Sequence, residues 1–89
     1  MDSRQHQYKD SLRITNKYCE RLIKNVDDPK SNTVIRCLAC VISSRMRMFV
    51  KELNQTNIYN MLGEIPALKK YRAAERKQIA MAIRVFSEC

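Results

Sequence analysis

The stretch 57-NIYNMLGEIPALKKYRAAERKQIAMAIRVF-86 sets a glycine and a proline three residues apart between two helix-like runs. Ile58 to Leu62 is a short apolar run behind Asn54-Gln55-Thr56-Asn57, a polar break whose side chains can cap a helix. Gly63 is the residue type that ends helices in left-handed geometry. Ile65-Pro66 restarts the chain, and residues 66–71 fit a further helical turn. The last helix is predicted over 73–87, with Ile79, Ala82, Ile83 and Phe86 facing inward at helical spacing. Short helix, proline corner and longer charged helix come in that order.

Working back along the chain, residues 33–53 read as one long helix. Ile35, Leu38, Ile42, Phe49 and Leu53 form one stripe; Val34, Val41 and Met48 form a second beside it, with Ala39 and Val50 adding to the girth. So wide an apolar surface suits a central helix packed on several sides. Before it, Tyr8, Leu12, Thr15, Cys19, Leu22 and Val26 recur at alternating spacings of four and three, which predicts a helix over 8–26. Asp27-Asp28-Pro29-Lys30-Ser31-Asn32 separates the two, because the residue before a proline leaves helical geometry and Ser31 or Asn32 can cap the next helix. The fold expected is one all-α domain: a small bundle of about four helices with a long central helix and a C-terminal helix–proline corner–helix unit.

Composition agrees. One glycine, two prolines and no tryptophan in 89 residues leave few corners, as helices require. A hydrophobic fraction of 45% against 29% charged excludes a disordered composition. The longest apolar run, Cys37 to Ile42, is far too short to span a bilayer, and MDSRQHQYKDS lacks the apolar core of a secretory leader, so an intracellular protein is expected. A chain of this size buries only about 60% of its extended surface and is marginal alone. The net charge of +8 is shared along the chain rather than gathered in a tail, and favours acidic partners.

Catalytic signatures are absent. The only imidazole is His6, no nucleophile stands beside a base in any known pattern, and a lone glycine builds no phosphate loop. No enzyme activity and no cofactor are expected. Among four cysteines, Cys37-x-x-Cys40 has the spacing of a zinc pair, but it lies inside an apolar helix and no second pair completes a quartet. Buried free cysteine as a small hydrophobe accounts better for such residues, and no metal site is expected. The basic residues Arg45, Arg47 and Lys51, and Lys69, Lys70, Arg72, Arg76 and Lys77, are candidate contacts to an acidic partner or to phosphates. Every surface helix needs charge, and Glu64, Glu75 and Glu88 interrupt the second group, so a solvated face explains them equally.

Residues 57–86 resemble the BESS motif, a region at the C-terminal ends of many insect transcription and chromatin factors. Tyr59, Met61 and Leu62 stand where it has its first apolar group, Ile65-Pro66-Ala67-Leu68-Lys69-Lys70-Tyr71 is similar to its proline corner, and Ile79, Met81, Ile83 and Phe86 fit its last helix. Arg72-Ala73 departs from its usual Ser-Pro helix start. The resemblance implies homotypic or heterotypic protein association in the nucleus. Asn57 to Ile65, with Ile83-Arg84, is also similar to the small helical subunit shared by SAGA-type deubiquitinase modules and nuclear mRNA-export complexes, although the Gly-Trp turn of that family is missing.

The function expected is therefore a non-catalytic protein–protein interaction module of a transcription or chromatin-regulating complex, forming a homodimer or heterodimer. Its partner-binding residues would be Tyr59, Leu62, Ile65, Leu68, Tyr71, Ile79, Ile83 and Phe86, left over once a small bundle has hidden what it can. The alternative is a basic helical domain that binds nucleic acid. Neither a membrane nor a small-molecule substrate is expected.

Overall fold

Helix starts in this chain are set by side chains that accept otherwise unpaired backbone N–H groups. Ser31 takes extended backbone and its Oγ accepts the Val34 N–H at 3.3 Å, opening α2 (Asn32–Arg45). Asn54 does the same for α4 (Gln55–Leu62), its Oδ1 accepting the Asn57 N–H at 2.8 Å. The computed structural model describes residues 3–88, and within them the remaining elements are α1 (Ser3–Lys24), α3 (Arg47–Val50), a 3-10 turn (Pro66–Leu68) and α5 (Ala73–Ser87). The all-α reading holds, with no strand among the described residues. Cys89 lies outside them.

The central helical segment ends at Val50 rather than 53, α4 spans Gln55–Leu62 rather than 57–63, and the turn from Pro66 covers three residues rather than six; four helix ends have a local explanation. First, α1 begins at Ser3 rather than residue 8, because its early turns have long-range anchors: Arg4 pairs with Glu52, and the Tyr8 hydroxyl donates to Glu64 at 2.9 Å. It ends at Lys24 rather than 26, where only long turn hydrogen bonds of 3.3 and 3.5 Å link Asn25 and Val26 to Leu22 and Ile23, ahead of the pre-proline aspartates. Second, the long central helix is interrupted at Met46, whose φ of −107° and ψ of 19° leave the helical region. The interruption redirects the chain so that Met46, Phe49 and Val50 are all buried, while Met48, expected inside, is 59% exposed.

Third, Gly63 stays right-handed (φ −66°, ψ −16°), so the left-handed helix end does not form. A side chain there would press on the Asn60 carbonyl oxygen at 3.2 Å. Fourth, Arg72 gives α5 no side-chain cap; instead its own N–H donates to the Glu75 carboxylate at 2.8 Å, half of a capping box.

The central helix packs chiefly on α5 and α1, α4 rests on α5, and the 3-10 turn sits against α1. Cys19, Leu38, Ile42, Met46, Ile58, Leu62, Ile65, Leu68, Ile79 and Ile83 are all fully removed from solvent in one continuous core. The radius of gyration, 12.2 Å, equals the value of about 12 Å for a close-packed chain of this length. Two hydrogen bonds pin the proline corner to distant chain: Asn16 of α1 accepts the Ala67 N–H at 2.8 Å, and the Tyr71 hydroxyl donates to the Pro29 carbonyl. Among the described residues no helix is long and apolar enough to cross a membrane.

Candidate functional site

Of the eight apolar residues expected to meet a partner, the fold takes six for itself. Leu62, Ile65, Leu68, Ile79 and Ile83 are 0% exposed and Tyr71 is 3% exposed, so none offers a surface. The reason is the upstream half: α1, α2 and α3 cover the faces that the last thirty residues cannot cover alone. Burial also holds the Tyr71 phenol protonated, pushing it up to about 12, with the nearby Glu75 carboxylate adding to the effect. Tyr59 is half-buried, and Phe86 remains 38% exposed.

The large apolar side chains left outside are Ile14 and Tyr18 on α1, Met48 on α3, and Met81, Val85 and Phe86 on α5. Met81 and Val85, four residues apart and therefore neighbours on one helix face, are 62% and 60% exposed. Beside Met81 a groove of about 340 Å³ runs between α4 and α5, lined by Gln55, Thr56, Tyr59, Lys77, Ala80 and Met81. The Tyr59 ring forms part of one wall. The Arg76 guanidinium lies 5.5 Å from that ring's centroid and donates from Nη2 to the Tyr59 hydroxyl at 3.4 Å. Its Nε is buried and has no hydrogen-bond partner among the described residues.

This groove brings together Tyr59 and Lys77 from the expected residues, with Arg76 held against the Tyr59 ring, and adds Gln55, Thr56, Ala80 and Met81, which sequence reasoning missed. A signal was present. Met81 falls on the opposite side of the helix wheel from Ile79 and Ile83, yet it is matched only to the last helix of a known motif and not read as an outward apolar residue.

The other basic residues are dispersed. Lys69 and Lys70 border a shallow hollow of about 570 Å³ with Glu20, Lys24 and Pro29. Arg45 covers the Tyr18 ring at 4.1 Å, Arg47 stands beside Phe86, and Lys51 borders a hollow with Arg84. Arg72 is exposed at the start of α5. They do not form a single track.

Groups with chemical reactivity are separated as well. His6 is exposed on α1 and lies 3.7 Å from Asp10. The Cys19 thiol is fully buried, and that burial pushes it up to about 12, so it is held as the unreactive thiol. Cys37 and Cys40, expected as buried small hydrophobes, lie exposed on α2 instead, and among the described residues no three potential ligands converge into a metal-binding group. No family model, curated protein or solved structure matches the chain.

Proposed function

We propose that the chain is a non-catalytic protein–protein interaction module of a nuclear transcription or chromatin-regulating assembly, and that its partner docks on the α4–α5 surface. The observation that carries this reading is the position of Met81, Val85 and the adjoining groove outside a core that is already closed. Once Leu62, Ile79 and Ile83 are spent on the fold, these are the most exposed apolar side chains of α5, and their removal from water remains as a driving force for association. The assembly class and the nucleus rest on the resemblance of residues 57–86 to the BESS motif.

The test uses Met81→Gln together with Val85→Gln, both at exposed positions where the fold is indifferent to polarity. Wild-type chain should associate, as a dimer in light scattering or with a partner retained from nuclear extract. The double variant should retain its helical circular dichroism and lose the association. Identical behaviour of the two chains would end the reading.

A second reading, nucleic-acid binding, is favoured by one observation: Lys24, Lys69 and Lys70 gather around a hollow that Glu20 alone lines with a carboxylate among the described residues. Affinity for duplex DNA should then fall steeply with salt and drop on neutralising these three lysines.

A further inference from the structure

We infer that the occupant of the α4–α5 groove is an acidic amphipathic segment of another protein, with one bulky apolar side chain seated between Tyr59 and Met81 and carboxylates against Lys77 and Arg76. This rests on the interaction reading above and names the chemistry of the partner.

The walls decide the central part of the ligand. The Tyr59 ring and the Met81 thioether, with the buried Ala80 behind them, offer a ligand contact area but few hydrogen bonds. A phosphodiester backbone gains nothing there, since it seeks N–H donors and charge. A leucine, isoleucine or phenylalanine gains the hydrophobic term in full, and methionine adapts to any of them. The volume, about 340 Å³, sits at the low end of the roughly 300–1,000 Å³ of small-molecule pockets, which suits a side-chain anchor on a longer segment.

Charge decides the flanks. Lys77 lines the groove, and among the described residues no acidic one does. The acids nearest in sequence are already engaged: Glu75 accepts the Arg72 N–H and pairs with Lys30 at 3.7 Å, Glu52 pairs with Arg4, and Glu64 accepts the Tyr8 hydroxyl at 2.9 Å. Arg76 brings a delocalised cation to the Tyr59 ring that forms one wall, and a carboxylate is the group that a guanidinium holds best.

The same charge argues against a second copy. A two-fold contact puts the same patch on both sides, so Lys77 and Arg76 would face their own counterparts between chains of +8 each. Like-charge juxtaposition of that kind suppresses self-pairing and leaves the apolar surface to a partner of opposite sign.

The experiment is a selection from a displayed library of random peptides about 15 residues long, the length at which a helix begins to hold. The bait is the full chain, with counter-selection against the Met81→Gln/Val85→Gln variant. Enriched peptides should carry Asp and Glu around one bulky apolar residue, bind the wild type about tenfold more tightly than the variant, and lose about tenfold on Lys77→Glu. Enriched peptides that depend on Met81 but are neutral or basic, and indifferent to Lys77→Glu, would overturn the acidic partner while the interaction reading stood. A dimer of the wild type that the double variant abolishes would overturn it in favour of a second copy. No enrichment over the variant, with a monomeric chain, would remove both readings. Displacement of the selected peptides by random-sequence duplex DNA, with DNA affinity unchanged by Met81→Gln, would replace the acidic peptide with nucleic acid.

Discussion

On its inward side α5 places Ile79, Ala80 and Ile83 at no more than 1% exposure, while on its outward side Met81 and Val85 keep about three-fifths of theirs. All five are apolar, and all fall within seven consecutive residues of one helix. The difference comes from the surroundings of each side. The inward side meets α2 and α4, which close over it, and the outward side stands mostly in solvent. An apolar stripe is thus a demand for cover, and the identity of the cover depends on contacts distant in sequence. The inner residues belong to the core, and the outer ones are those the proposed association would use.

Substitutions can break that division, and the largest effect comes from the inner side. Ile83→Asp would bury an unpaired carboxylate and cost more than about 4 kcal/mol, close to the whole stability of a small domain. Urea titration followed by circular dichroism should show no cooperative transition for it. Ile79→Ala should cost about 2–5 kcal/mol by leaving a cavity. A variant of either kind with wild-type stability would show that the inward side is not core.

Tyr71→Phe sharpens the comparison at the proline corner. It deletes the hydroxyl that donates to Pro29, for a loss of about 1 kcal/mol at neutral pH. It should also flatten the alkaline limb of stability. The Tyr71 phenol is raised from near 10 to about 12, so the folded state holds its proton more tightly than the unfolded state does. Its contribution is complete below pH 10 and is lost as pH climbs toward 12. Cys19, raised from 9.0 to about 12 by its own burial, begins the decline earlier and should remain visible in the variant. Thermal melts from about pH 8 to about pH 11 separate the two (midpoints should converge as pH rises).

The smallest stability effect belongs to the outer side. Met81→Gln and Val85→Gln should each shift the unfolding free energy by less than about 0.5 kcal/mol while removing association. The inside–outside contrast is also readable in thiols without mutation. Cys37 and Cys40 should alkylate in the native protein, and Cys19 only after unfolding, as peptide mass mapping would show.

Much of the fold was legible because it rests on local chemistry. Ser31 and Asn54 announce their helices as caps, and Pro29 and Pro66 mark the corners. The break at Met46 was not legible: Arg45-Met46-Arg47 carries no glycine or proline, and only the need to bury Phe49 and Val50 together turns the chain there. The candidate site was legible in part. Helical spacing located the apolar residues, but which of them would be covered depended on α1 and α2, and neither has a sequence feature that points to residues 57–86.

The two hydrogen bonds at the proline corner have a bearing on portability. Ala67 is held by a side chain 51 residues earlier and Tyr71 by a carbonyl 42 residues earlier. A fragment excised from Asn54 onward and fused to another protein would arrive without its moorings, with Ile65 and Leu68 open to water. The C-terminal unit is therefore no transplantable cassette, and its shape is a property of the entire bundle.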